Sequence, residues 1–259
     1  MQHPQAPESS RPRRRLSPTW ILGGIAAVVI LVFGGALFYT QVLNDDQPEK
    51  FTLSEVEPSS SPAGSAPAAV SDAASSSASS PAAAAGLNGG WTVGADSLVG
   101  YRVKEILVGL ESQAVGRTSD VTGELTVTGD SVTAAKFTAD LTTVKSDKSQ
   151  RDGQFRGRIM DTGTHPTATF VSTEPIPVPA GAVSGQKFTS TVTGDLTLRG
   201  VTKSVTFDLN GQKKGPGFEL VAQIPIVFAD FDIPNPSGGP AQVGDDGILE
   251  VQLNLAPKD

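Results

Sequence analysis

From Trp91 to the end of the chain, apolar residues alternate with polar ones in short runs that are separated by Gly, Asp and Asn. Alternation with a period of two is typical of β-strands that bury one face. The alternating apolar positions are Tyr101 and Val103; Val121, Leu125 and Val127; Phe137, Ala139 and Leu141; Phe188, Val192, Leu196 and Leu198; Val201, Val205, Phe207 and Leu209; Phe218 to Phe228; and Leu249 to Leu255. With a shorter run at 168–172, the pattern predicts about eight strands.

Short turn sequences join several of these runs: Gly129-Asp130, Arg199-Gly200 and Asn210-Gly211. Strands joined by tight turns run antiparallel, so we expect a meander. Eight such strands most simply close into a barrel, because closure removes the exposed edges of the sheet. The predicted fold class is therefore all-β, an antiparallel barrel of about eight strands, with a two-sheet sandwich as the alternative.

One segment, 148–160 (KSQRDGQFRGRIM), breaks the alternation. Phe155 and Ile159 lie four residues apart, which puts them on one face of a helix. We expect one short helix or a pair of helical turns here, interrupted by Gly153 and Gly157.

Residues 20–39 (WILGGIAAVVILVFGGALFY) carry no charge and match the hydrocarbon thickness of a bilayer as a helix. Four arginines precede this stretch and two aspartates follow it, so the positive-inside rule leaves the N-terminus in the cytoplasm. We expect a single-pass anchor in the plasma membrane and an extracytoplasmic C-terminal domain. A cleaved secretory signal is the alternative, although its apolar run should be shorter.

Four regions follow from this pattern. Residues 1–19 are predicted to be a disordered cytoplasmic tail, 20–39 a transmembrane anchor, 40–90 a disordered linker rich in Ser, Ala and Pro, and 91–259 the β-domain. A linker of that length gives the domain a random-coil reach of roughly 35 to 40 Å from the membrane.

Charge and cysteine content narrow the functions that the domain can have. The tail before Trp20 holds four basic residues and one acidic residue, which leaves 16 basic and 26 acidic residues beyond it. We therefore expect no nucleic-acid binding. The chain has no cysteine, so it offers neither disulfides nor thiolate metal sites.

Two runs carry a family resemblance: His165-Pro-Thr-Ala-Thr-Phe-Val-Ser-Thr173, and Gly194-Asp-Leu-Thr-Leu-Arg-Gly-Val-Thr-Lys203, together with Arg151-Asp152 and Asp161 before them. In this order and separation, they resemble the YceI-like domain over about 91–257. The resemblance implies a lipocalin-like antiparallel barrel with one short helix, enclosing a tunnel that holds a polyisoprenoid lipid. It further implies non-enzymatic storage or transport of an isoprenoid quinone or a polyprenyl phosphate.

The anchor and long linker depart from the mostly soluble, periplasmic pattern of that family. Where relatives carry Asp-Pro and a His in the first hairpin, this chain has Gly94-Ala-Asp-Ser97 and then Lys104-Glu105. Where many relatives carry an Arg before a DFG-like run, it has Ala229-Asp-Phe-Asp-Ile233. Contacts of those family side chains with a lipid headgroup therefore do not carry over.

Small residues at predicted inward positions, namely Ala139, Ser190, Gly194 and Ala222, would leave space along the barrel axis. The same residues also suit tight packing in a filled barrel. A filled barrel would favour the alternative function, an extracytoplasmic module that binds another envelope protein. By alternation, the predicted tunnel lining is Phe137, Leu141, Phe170, Leu196, Phe207 and Ile224.

Arg151 and Arg199 are the predicted contacts for a lipid headgroup, since a buried phosphate requires a cationic partner. The structural alternative for Arg151 is an ion pair with Asp152 or Asp161. Beyond residue 3, His165 is the only histidine, and no nucleophile or metal motif accompanies it. We therefore expect a backbone-binding role in a turn for His165 and no catalytic residues.

Four aspartates of 230–246, Asp230, Asp232, Asp245 and Asp246, lack the spacing of a calcium loop. We expect no metal and no cofactor other than a bound isoprenoid lipid.

Overall fold

The computed structural model describes residues 47–55, 85–107, 109–239 and 241–258. The predicted tail, the predicted anchor and most of the predicted linker lie outside these residues. Within the described part of the chain, no helix is long and apolar enough to cross a membrane.

The described residues form thirteen strands and one short α-helix. The strands are β1 (Gly89–Val93), β2 (Leu98–Leu107), β3 (Leu110–Thr118), β4 (Val121–Thr128), β5 (Ser131–Asp140), β6 (Lys145–Ser146), β7 (Thr167–Ser172), β8 (Ile176–Pro177), β9 (Phe188–Leu198), β10 (Val201–Lys214), β11 (Gly217–Val227), β12 (Ala241–Val243) and β13 (Asp246–Pro257). Helix α1 (Ser149–Gln154) lies between β6 and β7 and continues into a π-helical turn, Phe155–Ile159.

Eight strands form a closed ring in the order β1, β4, β5, β7, β9, β10, β11, β13. The ring closes because β1 pairs antiparallel with both β4 and β13. The barrel predicted from the sequence is therefore confirmed, and the two-sheet alternative is wrong. Hairpin β2–β3 continues one side of the ring, since β2 pairs with the part of β13 that β1 leaves free.

Two features of the strand prediction need correction. The ring contains β1, which the alternation pattern missed, whereas the counted run at Tyr101 and Val103 belongs to β2. Asn210-Gly211 is not a turn, because β10 runs through it to Lys214. Gly211 is instead needed for close packing: a Cβ there would lie 2.4 Å from the ring of Phe188 on the neighbouring strand.

The other predicted turns are where the pattern put them. Gly129 has φ 65° between β4 and β5, and Arg199 and Gly200 have φ 48° and 78° between β9 and β10. Positive φ at both central residues of the Arg199-Gly200 turn, or at the first central residue alone as at Gly129, matches the right-handed twist of the strands that a turn connects.

The helical segment also lies where it was predicted. It changes from α-helix to π-helix after Gln154, between Gly153 and Gly157. Phe155 is buried and Ile159 half-buried, so this segment turns one apolar edge towards the end of the barrel.

Residues 47–55, here called the strap, lie on the outer wall of the barrel, which corrects their assignment to a disordered linker. They belong to the same compact unit as the barrel. The ring of Phe51 is only 5% exposed and has the guanidinium of Arg117 4.0 Å from its centroid. Val221 faces outward between Leu220 and Ala222, yet it is buried as well. The sequence did not reveal that the strap packs against the barrel, because the strap is too short and too polar to show a periodic pattern.

Two carboxylates on the outer wall, Glu219 and Glu250, have no exposed surface. Glu219 accepts hydrogen bonds from the backbone N–H and the hydroxyl of Ser54, both at 2.9 Å, and from Gln212 at 2.8 Å. Glu250 pairs with Arg102 at 2.7 Å, and Arg102 also donates to the carbonyl of Pro48 at 2.7 Å. The strap therefore completes a polar network that the barrel begins.

Replacing Phe51 with Ala should release the strap and leave the barrel folded. Loss of a buried aromatic ring weakens docking by about 3 kcal/mol. Limited proteolysis should then cut within 47–55 in the variant and not in the parent chain, while the barrel itself stays folded. Thr52→Ala, at an exposed neighbouring position, is the matched control and should resist cutting. Equal protection of Phe51→Ala and the parent would contradict this packing.

Acid should weaken the same network through Glu219. Burial alone would raise the pKa of Glu219, but hydrogen bonds from Ser54, Gln212 and Gln252 outweigh it and hold the pKa at about 2, below the usual 4.5. A lowered carboxylate pKa stabilises the fold above pH 4.5, and this contribution, on the order of 3 kcal/mol, is lost as pH falls towards 2.

Urea unfolding at pH 6, 4 and 3 measures this loss. The parent chain should lose more stability on acidification than Glu219→Gln, which has no charge to neutralise. Glu174→Gln, at an exposed position, is the matched control and should behave like the parent. Identical pH profiles for the parent and Glu219→Gln would count against the role of this carboxylate.

Candidate functional site

An apolar cavity occupies the interior of the ring. Its volume is about 160 Å³. Side chains from every strand of the ring line it, among them Trp91 on β1, Leu125 on β4, Phe218 on β11 and Leu253 on β13. Several lining side chains, including Phe207, Leu209 and Val251, are only half-buried. The barrel is thus hollow over part of its length.

The cavity wall offers almost no polar chemistry. Within the described residues, no charged side chain lines it, and its only polar residues are Thr138, Thr169 and Ser190. The Ser190 hydroxyl donates to the carbonyl of Pro177 at 2.8 Å. Thr138 and Thr169 alternate with inward Phe137 and Phe170, so their hydroxyl groups point away from the cavity. The wall therefore suits an apolar guest and gives an anion no partner.

Aromatic rings take up the space beside several glycines in the wall. A Cβ on Gly123 would lie 2.5 Å from the ring of Phe137, and one on Gly194 would lie 2.4 Å from the ring of Phe170. The predicted gap at Gly194 is therefore filled by Phe170, which corrects its assignment as a source of free space. Ala139, Ser190 and Ala222 do line the cavity.

A packed cluster fills the barrel on the side of α1. Tyr101 and Phe155 stack with their ring centroids 5.1 Å apart and their planes 14° from parallel. Met160, Phe228 and Phe231 are buried in the same cluster. Burial raises the pKa of Tyr101, which keeps its hydroxyl neutral. Most of the cavity lies towards the other end of the barrel, and Leu196, Ala222 and Ile224 belong both to this cluster and to the cavity wall.

The structure brings five of the six predicted lining residues to the cavity: Phe137, Phe170, Leu196, Phe207 and Ile224. Leu141 does not line it. It begins a 3-10 turn, Leu141–Thr143, directly after β5 and packs in the cluster around Phe155. Contact of any of these residues with a ligand stays a prediction.

Neither predicted headgroup residue reaches the cavity. Arg151 forms ion pairs with Asp147 and, at 3.1 Å, with Glu105. The expected partners were wrong, because Asp152 instead accepts hydrogen bonds from the backbone and hydroxyl of Ser146. Arg199 donates to the carbonyl of Asp232 at 2.6 Å. Both guanidinium groups thus stabilise loops at the α1 end.

His165 lies in a turn, where its backbone N–H donates to the carbonyl of Asp161 at 2.8 Å. Its ring fills the space beside Gly200, where a Cβ would lie 2.7 Å from the imidazole. Within the described residues, no three His, Asp or Glu side chains are grouped to hold a metal ion.

Several cavity residues escaped the sequence analysis. Trp91 packs edge-on against Phe218 at 5.3 Å, and Ile176 comes from the two-residue strand β8. The only sequence signal for β1 was the tryptophan at the start of the alternating region. A strand of two residues gives no periodic signal.

The closed ring and its uncharged cavity define the class of this protein, a β-barrel with a hollow apolar interior. The chain belongs to the YceI-like domain family, whose model matches residues 91–255. A UPF0312 protein of Pseudomonas paraeruginosa is 32% identical over 174 residues, covering 63% of this chain and 81% of the relative. One from Vibrio campbellii is 29% identical over 173 residues, covering 63% and 82%.

Among solved structures, the chain resembles a domain from Saccharophagus degradans described as a polyisoprenoid binding domain implicated in plant cell wall breakdown. The TM-score is 0.51 at 18% identity, and the match covers 65% of this chain and 98% of that domain. At this identity, the likeness shows a common fold.

The packing of rings on glycines can be tested with Gly194→Ala. The added methyl group meets both the ring of Phe170 and the carbonyl of Val171, at 2.4 and 2.5 Å. Overpacking of this kind should cost about 1–3 kcal/mol in the free energy of unfolding, measured in urea. Gly153→Ala is the matched control, because its Cβ meets nothing within 4 Å and alanine favours a helix. A Gly194→Ala variant as stable as the parent would show that the ring does not occupy this space.

Proposed function

We propose that the barrel binds the apolar chain of a polyisoprenoid lipid and stores or transports it without catalysing a reaction. One observation carries the proposal: a cavity inside a closed ring whose wall is apolar and uncharged. The resemblance to a domain described as polyisoprenoid binding supports the same ligand class. The alternative, a protein-binding module, was tied to a filled barrel, and the hollow interior argues against it.

The polar head of the lipid lies outside the cavity in this proposal. Burial of a phosphate without a cation is very costly, and the wall supplies neither a cation nor a free donor. Arg151 and Arg199 are already engaged with loop carbonyls and carboxylates. The isoprenoid chain, rather than the head, therefore provides the recognition, and a quinone and a polyprenyl phosphate with equal chains should bind alike.

Apolar burial is the proposed source of the binding free energy. At about 25 cal/mol per Å², each ~100 Å² of isoprenoid that the cavity encloses contributes about 2.5 kcal/mol before the costs of ordering. The half-buried side chains in the wall, such as Leu209 and Val251, gain contacts when a chain fills the cavity. Part of this gain is offset, because the flexible isoprenoid chain loses conformational freedom when it is bound.

The proposed setting is the outer surface of the plasma membrane, with residues 20–39 as the anchor. Their length without charge and the arginines before them support this placement. The membrane would then be both the source and the destination of the lipid.

Lipid loading with a blocked cavity tests the proposal. Leu209→Trp puts an indole into the open space of the cavity, whereas Val171→Trp puts the same group on the exposed outer face of β7. Each full-length chain is captured from detergent containing a long-chain isoprenoid quinone, washed, and extracted for quinone. We expect near-stoichiometric quinone with the parent and Val171→Trp, and loss of loading with Leu209→Trp.

Two further probes separate chain recognition from head recognition. A polyprenyl phosphate of equal chain length should load as the quinone does, and a quinone without its chain should not load. Equal loading of Leu209→Trp and Val171→Trp, or binding of the chain-free quinone, would overturn the proposed site.

A further inference from the structure

The β2–β3 hairpin presents apolar side chains to solvent on both of its faces. Ile106 is 45% exposed and Leu110 is 41% exposed. Ile106 pairs across the hairpin with Glu111, and Leu110 pairs with Leu107, so the two side chains project to opposite faces. These two side chains are called the tip surface.

Apolar groups on both faces favour one kind of occupant. A folded protein partner covers one face of a hairpin and leaves the other in water. A bilayer surface can take up apolar side chains from both faces when only the tip enters it, and Glu111, opposite Ile106 on the same face, then stays at the level of the polar headgroups. The tip surface therefore fits a bilayer better than it fits a protein.

The strap brings this hairpin close to the start of the described chain. The side-chain amide of Gln47 donates to Asp147 at 3.3 Å. Asp147 forms an ion pair with Arg151. Arg151 forms a second ion pair with Glu105, which is the residue next to Ile106. Gln47 is thus connected to the hairpin through a short row of polar contacts.

Chain length sets an upper limit on the reach of the connection between Tyr39 and the strap. Eight residue steps separate Tyr39 from Gln47, and a chain of that length reaches about 30 Å at most. Leu87 is 48 residue steps from Tyr39, so a chain that joined the barrel only there would have a far longer maximum reach. Docking of 47–55 thus replaces a long tether with a short one.

We propose that the strap holds the α1 end of the barrel at the bilayer and that Ile106 and Leu110 insert into the lipid surface. This inference rests on the proposed membrane anchor and is independent of which lipid fills the cavity. Apolar tip side chains leave water, and the strap keeps them within reach. The hairpin becomes a second membrane contact beside residues 20–39.

Quenching of a fluorescent label tests whether the tip surface contacts the lipid. Because the chain has no cysteine, Leu110→Cys and Asp130→Cys each accept one fluorescent label in the full-length protein. Asp130 lies in the β4–β5 turn, at the opposite end of the barrel, and is the matched control. The proteins are placed in phosphatidylcholine vesicles that contain a lipid with a quencher on its acyl chain. We expect strong quenching at position 110 and none at 130.

A second set of variants tests the role of the strap. Phe51→Ala/Ser54→Ala, combined with Leu110→Cys, should lose most of the quenching while isoprenoid loading stays unchanged. Unquenched label at position 110 in floating vesicles would overturn the tip contact, and full quenching with a protease-sensitive strap would overturn the role of the strap. A chain that does not float with the vesicles would overturn the whole membrane placement, and quinone loading of the same sample would show separately whether the ligand proposal stands.

Discussion

Closure of the strand ring is the constraint on which the rest of the structure depends. Strand β1 satisfies the edges of both β4 and β13, so the ring leaves no free edge among its eight strands. Once the ring is closed, alternating residues must face inward, and the side chains available do not fill the enclosed volume. The cavity thus follows from the strand number together with the small residues, such as Ala139 and Ala222, at inward positions.

On the outer wall, the strap covers buried carboxylates as well as the apolar side chain of Val221. A buried Glu is tolerated only when hydrogen bonds replace the lost water, and Ser54 and Gln212 supply them at Glu219. The strap is therefore bound by polar contacts that depend on its backbone as much as on its side chains. Such contacts give docking a specific register, which is what allows the strap to set the reach of the tether.

The sequence predicted the strands of the ring, apart from β1, and the helical segment, because long alternating or four-spaced patterns report burial directly. It also predicted five cavity residues, since alternation identifies the inward face of a strand. Leu141 failed because β5 ends one residue before it and the chain turns. Asp147, one partner of Arg151, is only four residues away, and the i,i+4 spacing could have indicated this pair. The pairing of Arg151 with Glu105, the ring of Phe170 beside Gly194 and the docked strap could not be predicted, because each depends on contacts between segments far apart in the sequence.

The central claim is that the barrel holds an isoprenoid chain, and native mass spectrometry of the full-length protein tests it most directly. The protein would be purified from the membrane of its own cells in a mild detergent, and the adduct would be identified by organic extraction. Our account predicts one isoprenoid lipid per chain, released on unfolding. A protein that carries no lipid and takes up neither added long-chain quinone nor polyprenyl phosphate would contradict it.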